Sequence, residues 1–242
     1  MLTAESKNMI PIAHIRTCFP TKFGIPRQSG IGSGLESTIV FEPEYRNVEA
    51  LRGLEEFSHI WLIWEFSEAK RDSWSPTVRP PRLGGNTRKG VFATRSPFRP
   101  NPIGLSCVKL ERIESDKNDG PFLIVSGADL MDGTPIFDIK PYLPYADCIT
   151  DATSGFAPQA AERLLQVVID EQKRNKIPTE LYEGLVQVLA HDPRPQYHDD
   201  PERIYTLPFA DMEVRFKVKE DILEVTEIQH IKANYGRTDK TP

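Results

Sequence analysis

The hydrophobic pattern of the first 150 residues is that of β-strands. FSHIWLIWEF, at residues 57–66, is nearly all apolar, is too short to cross a membrane and predicts a fully buried strand with His59 as a core histidine. Residues 45–54 have instead the spacing of a short helix that ends near Gly53. Shorter apolar or alternating stretches predict further strands at residues 9–16, 37–41, 103–113, 122–130 and 136–139. Strands and helices do not alternate here, so the pattern predicts a mainly β domain without a parallel sheet.

The pattern changes after residue 150. Residues 157–175 place apolar side chains on one face at helical spacing, and residues 179–191 predict a second helix that starts after Pro178. Three later stretches predict antiparallel strands at residues 203–208, 212–219 and 222–231. We therefore predict two domains, a mainly β domain over residues 1–150 and a small α+β domain over residues 151–242.

Composition limits the class of protein. The chain has 242 residues, 39% of them hydrophobic, which is enough for one large core or for a larger and a smaller core. No run approaches the roughly 18 to 20 apolar residues of a membrane span, and residues 1–16 lack the features of a signal peptide. The three cysteines are widely spaced without a CxxC motif, which favours neither a disulfide framework nor a zinc site. We expect a reduced, cytoplasmic protein that needs no membrane and no metal.

The charge is distributed unevenly. Residues 73–110 contain no Asp or Glu but carry seven basic residues and six prolines. The whole chain has a formal charge of −5, so the remaining residues together carry −5 minus 7, or −12. A basic segment on an otherwise acidic protein predicts an anionic partner, and RNA is one such partner.

Prolines stiffen the centre of this basic segment. The prolines in and after residues 96–101 fix their own φ angles and keep the preceding residues out of the helical region. A loop of this kind holds Arg95 and Arg99 with little conformational entropy left to lose. The planar guanidinium fork suits phosphates, carboxylates and base edges. We favour a binding function here over an ordinary solvated loop, because the basic residues are dense and acidic residues are absent.

A second candidate site is the turn DLMDGTP at residues 129–135, which carries two carboxylates. In one interpretation Asp132 caps its own backbone in an Asx-type turn. In the other, the acids and amides of the turn bind a cationic or hydroxyl-bearing ligand. The residues alone leave both interpretations open.

GVFATRSPFRPNPIG, at residues 90–104, resembles the signature of the TsaA-like family, which includes tRNA methyltransferases. Five further motifs agree with the family in one order along most of the chain: PRQ at 26–28, GLEEFSHIWLIWEF at 53–66, RPPRLGGNTRKG at 79–90, DLMDGTPIFDIKPYLPYAD at 129–147 and DPRPQY at 192–197. The resemblance implies an antiparallel β-barrel and a homodimer whose cofactor site lies near the subunit interface. It also implies S-adenosyl-L-methionine as the methyl donor and, as the acceptor, the exocyclic nitrogen of threonylcarbamoyl-adenosine just 3′ of the tRNA anticodon.

Site residues are expected in three groups. The family motifs imply that the cofactor is bound by Pro26, Arg27, Gln28, Phe66, Ser67, Arg95, Leu105, Asp129, Leu130, Met131 and Asp132. Asp132, Asp138 and Tyr142 are candidates to remove the proton of the acceptor nitrogen, although Asp138 also suits an ion pair with Lys140. The expected contacts to tRNA or to the threonyl carboxylate are Arg82, Arg88, Arg99, Lys140, Arg194 and Tyr197, of which the last two place the C-terminal domain on the tRNA.

Two alternatives remain at this stage. The same basic loop suits a non-enzymatic RNA-binding module, and the same cofactor pocket suits a methyltransferase with a small-molecule acceptor. Binding of the methyl donor separates an enzyme from a plain RNA-binding module. A small acceptor would give the motif at residues 192–197 no role.

Overall fold

The N-terminal part of the chain is built from strands that close on themselves. The computed structural model describes residues 9–69, 73–80, 83, 86–156, 164–194 and 200–231. Its first eight strands are β1 (Ala13–Arg16), β2 (Glu36–Phe41), β3 (His59–Glu65), β4 (Thr77–Val78), β5 (Lys89–Gly90), β6 (Ile103–Asp116), β7 (Gly120–Ser126) and β8 (Pro135–Pro141). Six of them pair in the order β1-β2-β7-β6-β3-β8 of a closed barrel, every pair antiparallel, while β4 and β5 form a separate hairpin. The prediction of a mainly β, antiparallel N-terminal part is confirmed.

Strand β3 is buried on one face only, so the prediction of a fully buried strand was wrong. Ile60, Leu62 and Trp64 point into the core of the ring, while Trp61 and Ile63 between them are half-buried on its outside. In a closed sheet without a covering layer, alternate residues must face outward. His59 is exposed for the same reason, rather than lying in the core.

The helix predicted over residues 45–54 is replaced by three short 3₁₀ turns, at Pro43–Tyr45, Val48–Leu51 and Leu54–Glu56. Asn47 accepts a hydrogen bond from the backbone N–H of Glu49 and starts the second turn anew. Gly53 has a φ of 83°, a left-handed conformation that ends any helix.

The C-terminal part combines a four-stranded sheet with helices. Its elements are β9 (Gln166–Val168), α2 (Glu171–Arg174), α3 (Thr179–Ala190), β10 (Tyr205–Phe209), β11 (Met212–Lys219) and β12 (Ile222–His230), after a short α1 (Pro144–Asp147). The sheet order is β10-β11-β12-β9, and β9 runs parallel to β12. The second predicted helix and the three predicted strands are confirmed, and so is the α+β class.

The first predicted C-terminal helix, over residues 157–175, was wrong at strand β9 and is confirmed only for the short helix α2. Residues 157–163 lie outside the described residues, and the stretch that follows them is strand β9. Pairing with β12 satisfies its backbone groups and overrides the weak helical spacing. Helix α2 then starts at Asp170, whose carboxylate accepts from the backbone N–H of Lys173.

The segment between β1 and β2 packs against the C-terminal sheet. Phe19 and Leu35 belong to the second hydrophobic core, where the ring of Phe19 meets that of Phe209 edge-on at 5.9 Å between centroids. Gly184 of α3 has no side chain where Leu35 lies, and a Cβ there would overlap that leucine. Residues 26–28 are thus held between the two parts of the chain. The domain boundary at residue 150 stays a prediction.

Candidate active-site cleft

A cleft of about 910 Å³ opens where the β1–β2 segment, the ends of β3 and β6, and the loop at residues 91–102 meet. Its size is at the upper end of the roughly 300–1,000 Å³ that small-molecule sites occupy, so it has room for more than one ligand group. Aromatic side chains supply much of the wall: Trp61, Trp64, Phe66, Phe92 and Phe98.

The proline-rich loop on one side of the cleft is held by its own hydrogen bonds. The Thr94 carbonyl accepts from Arg99 Nη1 at 3.0 Å, and the Ser96 hydroxyl accepts from the backbone N–H of Phe98 at 3.2 Å. The backbone N–H of Arg99 also donates to the Pro97 carbonyl at 3.0 Å. The loop therefore presents its side chains from a fixed backbone, as its prolines predict.

Arg95 spans the cleft from this loop to the β1–β2 segment. Its Nη1 donates to Gln28 Oε1 at 2.8 Å, which joins residues 67 positions apart in the chain. The amide that receives this bond is neutral. The bond therefore orients the guanidinium without neutralising its positive charge. Arg95 is also exposed, so a ligand that enters the cleft can reach it.

A chain of hydrogen bonds leads from the core to a carboxylate in the cleft. Trp64 Nε1 donates to Ser106 Oγ at 2.9 Å, and Ser106 Oγ donates to Asp129 Oδ1 at 2.5 Å. Burial raises the pKa of Asp129, although the bond from Ser106 and the nearby charge of Arg95 act in the opposite direction. A carboxylate with a raised pKa, fixed in a cleft, is suited to accept a proton.

Gly104 makes this arrangement possible. The Trp64 indole lies against the glycine, and a Cβ at that position would overlap the ring. The glycine is therefore required by the close approach of β3 and β6 where they border the cleft.

The two carboxylates of the turn after β7 have different surroundings. Asp129 lines the cleft, whereas Asp132 Oδ1 accepts from the backbone N–H of Thr17 at 2.9 Å and its own N–H donates to the Phe19 carbonyl. Asp132 thus anchors the start of the β1–β2 segment and does not line the cleft. Its carboxylate therefore caps the backbone of another segment rather than that of its own turn, and the ligand-binding interpretation stays a prediction.

Nine of the eleven residues expected to bind the cofactor line the cleft together: Pro26, Arg27, Gln28, Phe66, Ser67, Arg95, Leu105, Asp129 and Met131. The other two, Leu130 and Asp132, do not. Leu130 is 0% exposed in the core of the ring, because side chains on either side of it point the other way. The binding role of the nine stays a prediction.

The three bases expected from the sequence are not among the residues that line the cleft. Asp138 Oδ2 pairs with Lys140 Nζ at 3.0 Å on the outside of β8, which is the ion pair that their spacing suggests. Tyr142 packs at 5.7 Å between ring centroids from Trp61. Desolvation, together with the nearby Cys148, Cys107 and Asp147, raises the pKa of Tyr142 and makes its phenol harder to ionise. Tyr142 thus adjoins a residue of the cleft wall, and a role of Asp132, Asp138 or Tyr142 as the base stays a prediction.

The expected substrate contacts are also divided. Arg99 lines the cleft, and Arg88 beside it donates to Thr77 Oγ1 at 3.0 Å. Lys140 does not line the cleft, and the guanidinium of Arg194 makes two 2.8 Å bonds to the Asp192 carboxylate. Arg194 borders a separate cavity of about 170 Å³ between residues 22–31 and the end of α3. Arg82 and Tyr197 lie outside the described residues.

Several residues of the cleft wall, and of the hydrogen bonds behind it, were missed. Ser106 and Trp64 face inward from strands whose neighbouring inward positions are apolar, and a lone serine at such a position was the available signal. Phe92 is in the family signature, but its exposure on the cleft wall depends on the hairpin before it.

Two other features were tested across the described parts of the chain. No helix there is long and apolar enough to cross a membrane. Those same residues contain no group of three or more His, Cys, Asp or Glu side chains placed to hold a metal ion.

Comparison with known proteins gives consistent matches over most of the chain. The tRNA-methyltransferase O N-terminal domain family matches residues 14–148, and the TrmO C-terminal domain family matches residues 156–231. A tRNA (adenine(37)-N6)-methyltransferase of Escherichia coli K12 is 41% identical over 226 residues, which cover 90% of this chain and 96% of that protein. A Pseudomonas aeruginosa protein, named as a proposed S-adenosylmethionine-dependent methyltransferase, is 42% identical over 227 residues, 90% of this chain and 96% of its own. A crystal structure of TrmO from P. aeruginosa matches with a TM-score of 0.77 and 36% identity, over 95% of this chain and all of that one.

Proposed function

The chain belongs to the TrmO family of tRNA methyltransferases, and from that premise we propose that it methylates the exocyclic nitrogen of adenosine 37 in tRNA with S-adenosyl-L-methionine as donor. The proposed acceptor is threonylcarbamoyl-adenosine, as the family motifs imply. The observation that carries the proposal is that one cleft contains both Asp129, a half-buried carboxylate with a raised pKa, and Arg95, an exposed guanidinium.

The lining of the cleft fits both ligands. The donor combines an adenine ring, a ribose, a positively charged sulfur and an amino acid end, and the cleft offers aromatic rings, polar side chains and a carboxylate to match them. We assign the donor to the side formed by residues 26–28, Phe66, Ser67 and Met131. When bound, the donor supplies an electrophilic methyl group, and the protein's part is to align the acceptor nitrogen and to exclude water.

Asp129 is proposed as the base. The acceptor nitrogen is a poor nucleophile because its lone pair is delocalised into the purine and the carbamoyl group. With the donor bound, the nitrogen would take the methyl carbon as the carbon–sulfur bond breaks and leaves a neutral thioether. The proton of the nitrogen would pass to Asp129, which Ser106 holds in place. We prefer Asp129 to Asp132, Asp138 and Tyr142, which do not line the cleft.

Arg95 and Arg99 are proposed as the contacts of the threonyl carboxylate. Both line the cleft, and both have their guanidinium bonded to neutral acceptors, the Gln28 amide and the Thr94 carbonyl. A substrate without the carboxylate would leave these charges without their partner, and sites built on such a contact discriminate strongly.

Methyl transfer to a synthetic anticodon stem-loop tests the proposal. Mass spectrometry of the nucleosides should find one added methyl group on threonylcarbamoyl-adenosine and none when plain adenosine occupies the same position. Absence of product from both RNAs, or equal product from both, would contradict the assigned reaction. Calorimetry with the donor alone distinguishes the alternative of a plain RNA-binding module, which would give no heat.

The family resemblance also leads us to propose a homodimer that works in the cytoplasm, where tRNA is found. Ile103 and Leu105 on the outer face of β6 support the dimer, because they are 38% and 57% exposed and border the cleft. Sedimentation should give the mass of two chains, and Leu105→Glu should give the mass of one. A single-chain mass for the unaltered protein would refute the dimer.

A further inference from the structure

Two large aromatic rings are exposed together beside the cleft. Trp74 is 51% exposed and Phe92 is 73% exposed, and their ring centroids lie 6.1 Å apart with planes inclined by 30°. Phe92 is part of the cleft wall, whereas Trp74 lies beyond it. Exposed aromatic pairs of this kind are costly in water unless a ligand covers them.

The β4–β5 hairpin fixes the position of both rings. Trp74 precedes β4, Phe92 follows β5, and the strands pair through Thr77 with Gly90 and Val78 with Lys89. The backbone N–H of Val91, just before Phe92, donates at 2.9 Å to the carbonyl of Pro76, two residues after Trp74. The pair is therefore preorganised, and a ligand would not have to order it.

The charge around the pair selects a polyanion. The segment that carries both rings contains no acidic residue, and Arg79 and Arg88 are exposed on it. Within the described residues neither arginine has an ion pair with a carboxylate; Arg88 bonds to the neutral hydroxyl of Thr77. Aromatic rings beside unneutralised arginines are the combination that binds single-stranded nucleic acid, through stacking and phosphate contacts.

A second copy of the chain is a poor fit to this surface. A symmetric dimer centred on the ring pair would bring Arg79 and Arg88 of one copy near those of the other. Like charges in that arrangement oppose association. Charge complementarity therefore favours RNA as the occupant.

We propose that Trp74 and Phe92 form a stacking platform for an unpaired nucleobase next to the target adenosine in the anticodon loop. This inference rests on the proposed function, because it assumes that the target base enters the cleft beside Phe92. The neighbouring base then stacks on the exposed ring pair, and Arg88 meets the connecting phosphate.

Binding of the anticodon stem-loop, measured without turnover, tests the platform. Trp74→Ala should weaken the affinity about tenfold, since stacking on an aromatic residue typically contributes that much per base. Trp74→Tyr should restore most of it, and Val48→Ala, at an exposed apolar residue beside Glu49, should change nothing. Calorimetry should find the affinity of Trp74→Ala for the methyl donor unchanged, because Trp74 does not line the cleft.

Fluorescence gives a second measurement. The chain has three tryptophans, and RNA should quench the emission of the unaltered protein more than that of Trp74→Phe. The platform would be overturned if the unaltered protein and the Trp74 variants bind the stem-loop equally well and are quenched equally. It would also be overturned if Trp74→Ala changes only the sedimenting mass. If Trp74→Ala weakens stem-loop binding but the unaltered protein transfers no methyl group, only the proposed reaction is wrong. If the methyl group is transferred but Trp74→Ala binds the stem-loop normally, only the platform is wrong.

Discussion

Arginines in two regions of the molecule are held in opposite ways. In the cleft, Arg95 donates to the Gln28 amide and Arg99 to the Thr94 carbonyl. On the β4–β5 hairpin that leads to Phe92, Arg88 donates to the Thr77 hydroxyl, so all three acceptors are neutral. At the far side of the ring, Arg112 is bonded to the carboxylates of Glu36 and Glu114, and Arg16 to that of Asp119.

The comparison shows that a hydrogen bond can orient a guanidinium with or without neutralising its charge. A neutral acceptor orients a guanidinium and leaves its field available to a ligand, whereas a carboxylate both orients and neutralises it. The bond from Arg112 lowers the pKa of Glu36, as expected for a pair that stabilises both charges. The arginines of the cleft region are thus prepared for an anion, and those at the far side are already paired.

Asp129 is a cleft carboxylate near Arg95, and removing its charge should have the largest effect. Asp129→Asn should lower kcat by about a hundredfold to ten-thousandfold while donor affinity is retained, because a general base is lost. Single-turnover kinetics measures the rate of methyl transfer, and calorimetry measures the affinity for the donor. Loss of donor binding with an unchanged rate for the bound complex would instead make Asp129 a donor contact.

The pH dependence of the rate of the unaltered enzyme should also reflect the role of Asp129 as the base. Since burial raises the pKa of Asp129, the rate should fall on the acid side with a midpoint above that of an ordinary aspartate. A raised native pKa stabilises the fold at low pH, and this contribution is lost as the pH rises through that pKa. Asp129→Asn should therefore unfold at the same or a higher temperature than the unaltered protein at neutral pH, and a clear drop in this temperature would contradict the reasoning.

Placing a carboxylate beside Arg95 should neutralise its charge, as Glu36 and Glu114 do for Arg112. Gln28→Glu preserves the shape of the Arg95 partner but adds a negative charge, and should lower kcat/KM about tenfold to a hundredfold. Gln28→Met, which removes the bond without adding charge, is the matched control and should cost less. Equal losses would mean that the orientation of Arg95 matters and its free charge does not.

The sequence predicts the type of most elements but not which side chains meet. Alternating patterns identified the strands, and proline spacing identified the stiff loop at residues 96–101, because both depend on local chemistry. The choice between Asp129 and Asp132 was not predictable from their shared turn. It depends on Ser106 and Thr17, which are distant in the chain and reach the two carboxylates only in the folded sheet. Strand β9 was missed for the same reason, since its pairing partner β12 lies more than 50 residues later.

Arg194 allows the reverse change, in which an arginine loses the charge of one carboxylate partner. Asp192 has a φ of 50°, a left-handed conformation that asparagine tolerates well, so Asp192→Asn removes the charge without straining the backbone. If the C-terminal part contacts tRNA, stem-loop affinity at low salt should rise about twofold to fivefold. An unchanged affinity would show that Arg194 does not face the RNA.

The smallest effect is expected at the far side of the ring. Glu36→Gln should leave methyl transfer unchanged and slightly lower the unfolding temperature at neutral pH. Because Glu36 has a lowered native pKa, its contribution is present above its unfolded pKa and is lost as the pH falls through the native one. The difference between variant and unaltered protein should therefore disappear in acid, and thermal unfolding at several pH values measures it.

The salt dependence of stem-loop binding compares the two arginine sets most directly. Arg88→Gln and Arg112→Gln each remove one exposed guanidinium, the first bonded to a hydroxyl and the second to carboxylates. The slope of log K against log salt concentration should become shallower by about 0.7 to 0.9 for Arg88→Gln and should not change for Arg112→Gln. Equal slopes for the two variants, whether both altered or both unaltered, would contradict the claim that unneutralised arginines at the cleft bind the RNA.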